Sequence, residues 1–118
     1  MKKIIFKEFN QKEEILINEN KGTVKITTYR NGKKVTEEKR KINEYIELLE
    51  YLKEDNDCRN SLPYEDIIAF IIGEEVACDF CFKKLRNTMY VKVIVPGLVL
   101  CRKCFYALSK LRKEMQNK

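Results

Sequence analysis

The sequence predicts an α+β fold: an antiparallel β-meander with a covering helix, followed by a small unit built as knuckle, hairpin and helix. Three observations predict it. Residues 23–30 and 33–40 are alternating, β-branched runs joined by Asn31-Gly32, the pair a type I′ hairpin turn prefers because both positions need positive φ. Ile42, Tyr45, Ile46, Leu49 and Leu52 recur at the spacing of one helix face. Two cysteine doublets, Cys78-Asp-Phe-Cys81 and Cys101-Arg-Lys-Cys104, stand 19 residues apart, a spacing that brings four thiolates to one metal ion.

The elements follow in order. Residues 2–9 alternate loosely and predict a strand, and residues 13–18 a second. With the hairpin they make a three- or four-stranded meander over residues 2–40. The helix over residues 42–54 turns Glu44, Glu47, Glu50 and Lys53 outward and is expected to cover one face of the sheet. Residues 54–60 form a polar break. Its Asp55-x-Asp57 lacks the glycine and bidentate glutamate of a calcium loop, and its Cys58 has no partner doublet or activating base beside it. Ser61 is the expected cap of a helix over residues 62–72, with Pro63 early in it and Gly73 as its stop. This helix is apolar on all sides. Two readings stand: a core helix wedged between sheet and cysteine unit, or a homodimer interface made by Ile67, Ile68, Phe70 and Ile71. The division expected is residues 1–57 as sheet plus helix, 58–73 as an apolar connecting helix, and 74–118 as the cysteine unit.

In that last unit a basic loop, Lys83 to Asn87, leads into a strand over residues 89–95. Pro96-Gly97 turns it back into Leu98-Val99-Leu100, and Cys101 and Cys104 open a helix carrying Phe105, Leu108, Leu111 and Met115 inward. Cys78, Cys81, Cys101 and Cys104 are thus the expected ligands of one structural zinc ion per chain, although an iron centre would use the same thiolates. Four thiolates close the coordination sphere, so no position is left for substrate. Free N–H groups at the helix start can hydrogen-bond to the sulfurs.

This order resembles a treble-clef zinc finger. Within that class residues 76–113 are similar to the N-terminal zinc-binding domain of ClpX-type unfoldases, through the first doublet, the Pro96-Gly97 turn and Leu100-Cys101-Arg-Lys-Cys104 leading into a helix. The resemblance implies a domain that dimerises and docks adaptors and substrates. The phosphate loop of that family's ATPase has no counterpart in this sequence.

Charge points toward the partner. The chain carries a net +6, and all of that excess lies in residues 74–118. The candidate nucleic-acid contacts are Lys83, Lys84, Arg86, Lys92, Arg102, Lys103, Lys110 and Lys113. An acidic protein surface would meet the same charge. The chain has no histidine, and its only serines are Ser61 and Ser109, which removes the usual general base and the Ser–His and Cys–His nucleophiles. The expectation is therefore a non-enzymatic binding protein with no small-molecule substrate, either a nucleic-acid binder of regulatory role or an adaptor or inhibitor of a larger machine. The longest apolar run, residues 67–72, is too short to span a membrane, and no secretory leader is recognisable. A cytoplasmic location is expected, where paired cysteines serve as metal ligands rather than disulfides.

Overall fold

A computed structural model describes residues 1–8, 10–54, 62–92 and 98–116, with side chains up to residue 110. The expectations for the 55–60 break, Cys58, the Ser61 cap, residues 93–95 and the Pro96-Gly97 turn lie outside the described residues, as do the side chains of Leu111, Lys113 and Met115.

Four strands open the chain: β1 (Lys2–Glu8), β2 (Gln11–Asn18), β3 (Thr23–Arg30) and β4 (Lys33–Lys41). They pair antiparallel in sequence order. Asn31 and Gly32 adopt φ of 53° and 79°, as the hairpin turn requires. Helix α1 (Ile42–Glu54) follows directly, and its Ile42 N–H donates to the Gly22 carbonyl at 2.9 Å. Helix α2 (Tyr64–Ile72) starts one residue after Pro63, which caps it rather than lying inside it. Gly73 ends it in the left-handed region at φ 93°. The Lys2 ammonium donates to the Phe70 carbonyl at 2.8 Å, placing a cation at the negative end of α2.

The next strands are β5 (Thr88–Lys92) and β6 (Leu98–Leu100), followed by α3 (Arg102–Gln116). They do not form a separate layer. β5 pairs in parallel with β1, from Lys3 beside Thr88 to Lys7 beside Lys92, and β6 pairs antiparallel with β5. The result is one six-stranded sheet in the order β4-β3-β2-β1-β5-β6. Parallel pairs are found where both faces are covered, and that is the case here. Ile4, Met89, Val91 and Val99 point to the α1–α2 side, whereas Ile5, Tyr90 and Leu100 point to the opposite side with Phe105 of α3.

The larger core joins Ile4, Ile15, Ile17, Val24, Met89 and Val91 of the sheet with Tyr45 and Leu49 of α1 and Ile67, Phe70 and Ile71 of α2. Ile67 is fully buried, Phe70 and Ile71 nearly so, and Ile68 packs against the same cluster. Of the four residues expected at a homodimer face, Ile67, Phe70 and Ile71 are thus buried within the single chain and Ile68 is half-buried. Each fully buried side chain of this kind contributes about 1.5–3 kcal/mol to folding within the single chain. Over β2–β4 the far side of the sheet is polar, with exposed ion pairs Lys12–Glu14 at 3.0 Å, Lys25–Glu37 at 2.6 Å and Lys34–Glu37 at 2.7 Å. β4 is an edge strand, and its charges discourage pairing with another sheet. Among the described residues no helix is long and apolar enough to cross a membrane.

Candidate metal centre and the basic cleft beside it

The first doublet lies on a tight loop closed by backbone hydrogen bonds. Leu85 N–H donates to Val76 O at 2.8 Å, Cys78 N–H to Lys83 O at 2.9 Å, and Phe82 N–H to Cys78 O at 3.0 Å. To close this way Phe82 takes φ 64°, a left-handed value that costs a residue with a β-carbon about 1–2 kcal/mol. Inside the loop the Phe80 N–H points at Cys78 Sγ at 3.4 Å.

The second doublet is delivered by β6 and α3. Cys101 immediately follows β6, and Cys104 sits in the first turn of α3, where Phe105 N–H to Cys101 O at 2.9 Å starts the helical ladder. Asp79 locks the doublets together. Its N–H donates to the Val99 carbonyl at 2.8 Å, and its Oδ2 accepts the Val99 N–H at 2.9 Å. The spacing between the two ligand pairs is thereby fixed by a clasp two residues before Cys101.

The four Sγ atoms lie within 4.8 Å of one another, and those of Cys81 and Cys101 are 3.7 Å apart. A tetrahedral ion with metal–sulfur bonds of about 2.3 Å has sulfur–sulfur edges of about 3.8 Å, so the cluster is already close to the size zinc requires. Cys78 and Cys104 are buried and Cys81 is exposed. Burial pushes the Cys78 thiol up, but backbone N–H groups of Cys81, Cys101 and Phe80 outweigh it and bring the thiol down to about 6. Burial, together with hydrogen bonds to the other three sulfurs, raises Cys104 to about 12. Cys78 thus loses its proton more readily than a free thiol and Cys104 less readily. A bound cation supplies the charge that lets the remaining thiols lose their protons. These four cysteines can hold one metal ion, in a closed set with no vacant ligand position.

A cleft of about 1090 Å³ opens at the centre: Cys81, Cys101 and Cys104 line it, with Phe80, residues 83–88 and the start of α3 around them, and Phe82 stands outside it. Of the residues expected to meet nucleic acid, Lys83, Lys84, Arg86, Arg102 and Lys103 converge on it. Lys84 also pairs with Glu75 at 2.8 Å. Lys92 does not line the cleft: it stands on β5 in register with Lys7 of β1. Lys110 is exposed on α3 about one turn beyond Ala107, the last helix residue lining the cleft, and the Lys113 side chain is outside the described residues.

Three residues at the site were not singled out from sequence. Asp79 was hidden because its partner, Val99, is 20 positions away. Phe80 and Phe82 are 61% and 78% exposed, and Phe80 lines the cleft. The signal for them was the pair of aromatic residues flanking Cys81 in an otherwise polar loop.

The chain matches no protein-family model, no curated protein and no solved structure. The similarity to the zinc-binding domain of ClpX-type unfoldases therefore rests on the residues quoted for it alone.

Proposed function

We propose that this chain is a small, zinc-stabilised, non-enzymatic protein of the cytoplasm that binds nucleic acid in a regulatory role through the cleft beside its cysteine centre. The observation that carries this reading is the convergence of Lys83, Lys84, Arg86, Arg102 and Lys103 around one cleft. Scattered lysines serve solubility, whereas cations gathered on a concave surface meet a polyanion. The loop, hairpin and helix order supports a treble-clef reading of the unit, with zinc holding the loop and the helix start at the spacing the cleft needs. A closed thiolate set and the absence of histidine both suit a metal that builds a surface rather than performs a reaction. The alternative, an adaptor or inhibitor of a larger machine, keeps the resemblance of residues 76–113 as its support, while Ile67, Phe70 and Ile71 are buried within the chain.

The test is binding of labelled DNA and RNA to the zinc-loaded chain at two salt concentrations. Affinity is expected to fall steeply with salt, and Lys83→Glu with Lys103→Glu to lower the salt slope by about one for each phosphate no longer neutralised. Lys110→Glu, outside the cleft, is expected to change it less. Binding that ignores both salt and the cleft substitutions sinks the reading.

A further inference from the structure

The most exposed large apolar side chain among the described residues is Phe82, and Phe80 stands two positions before it on the same loop. Neither ring is needed to build the loop, since the bonds that close it come from backbone N–H groups any ordinary residue would supply. Phe82 even occupies a left-handed position that glycine would fill without strain. Two aromatic rings held in water, one of them on a strained backbone, therefore face outward for a reason external to the chain.

Their neighbours indicate what meets them. Phe80 shares the cleft with Lys83, Arg86, Arg102 and Lys103. Cations beside exposed rings are complementary to phosphates beside base faces. A duplex keeps its base faces stacked and offers only groove edges, so rings of this kind gain little from it. We infer that the cysteine loop is a stacking platform for single-stranded nucleic acid: Phe80 and Phe82 take base faces while Lys83, Arg86, Arg102 and Lys103 hold the phosphates. This inference rests on the nucleic-acid reading above and narrows it to unpaired strands.

The experiment compares short mixed-sequence oligonucleotides, as single-stranded DNA, single-stranded RNA and the matching duplexes, on the zinc-loaded full chain at one salt concentration. Single strands are expected to bind at least about tenfold more tightly than duplex, and Phe80→Ala and Phe82→Ala each to weaken single-strand binding by about tenfold, the scale of one base–aromatic stack, while leaving duplex binding unchanged. Phe82→Gly, which suits the left-handed backbone, serves where alanine disturbs the loop. The chain contains no tryptophan, so Phe80→Trp adds a lone reporter whose fluorescence is expected to be quenched by stacking on single strands. Equal or tighter duplex binding with neutral phenylalanine variants and no quenching overturns this inference and leaves the nucleic-acid reading standing. Failure of every nucleic acid to bind, or binding of an acidic peptide in their place, overturns both.

Discussion

Asp79 joins the two halves of the four-cysteine cluster. Its carboxylate and its amide engage both backbone groups of Val99, so the loop and β6 cannot separate without losing two hydrogen bonds. Asp79→Ala keeps the amide and removes the acceptor. It is expected to cost about 1–3 kcal/mol in thermal unfolding, as for a bond to a charged group. Competition with a chromophoric chelator is expected to show metal affinity lower by about 10–100-fold, as for loss of a group that positions ligands. Glu13 behaves in the opposite sense. Burial, reinforced by the charge of Glu38, raises its carboxyl above 4.5. Because the folded pKa is the higher one, Glu13 favours the fold while protonated, and that contribution is lost as pH rises through the raised value. Glu13→Gln is therefore expected to stabilise the chain at neutral pH, with the gain shrinking toward pH 4 in urea titrations. Equal effects at both pH values would contradict the assignment.

At the scale of elements, legibility followed sequence distance. Helix α1 runs from Ile42 to Glu54, the limits its periodicity predicts, because one apolar stripe facing a sheet is a local pattern. The Asn31-Gly32 hairpin was readable for the same reason. The parallel β1–β5 pair was not, since it joins Lys3 to Thr88 across most of the chain. One trace of it existed in Met89-Tyr90-Val91, three consecutive apolar residues where a half-exposed hairpin would alternate, and all three are buried in the structure. Helix α2 shows the limit of composition: an apolar segment reads equally as core or as interface until its neighbours are known. Ile67 is fully buried in the large cluster, so Ile67→Ala is expected to destabilise the chain by about 2–5 kcal/mol in urea unfolding. Sedimentation is expected to show the same species before and after the substitution.

For the whole molecule, the cores divide the work of folding. The cluster between the sheet and α1–α2 contains none of the cysteine ligands, whereas the cluster under α3 contains Cys78 and Cys104. Metal held by four thiolates contributes on the order of 10 kcal/mol to the unit that binds it. Chelation is accordingly expected to expose the amides of Asp79, Val99 and α3 to hydrogen exchange, while those of β2 and β3 keep their protection. Uniform loss across the sheet would mean that the metal holds up both cores. The four ligands were legible because C-x2-C spacing is itself a local pattern. The cleft was not, since its cations come from two segments that only the folded centre brings together.

The parallel pairing of β1 with β5 also fixes an order of assembly. During synthesis the meander and its helices can form as soon as they emerge, but β1 has no neighbour on its outer side until residue 88 arrives. For that interval Ile4 and Ile5 lie on an open strand edge, the kind of surface onto which another growing chain can zip. β5 seals that edge when it pairs with β1. A newly made chain therefore stays exposed to its neighbours for as long as residues 88–92 take to be synthesised and to pair with β1.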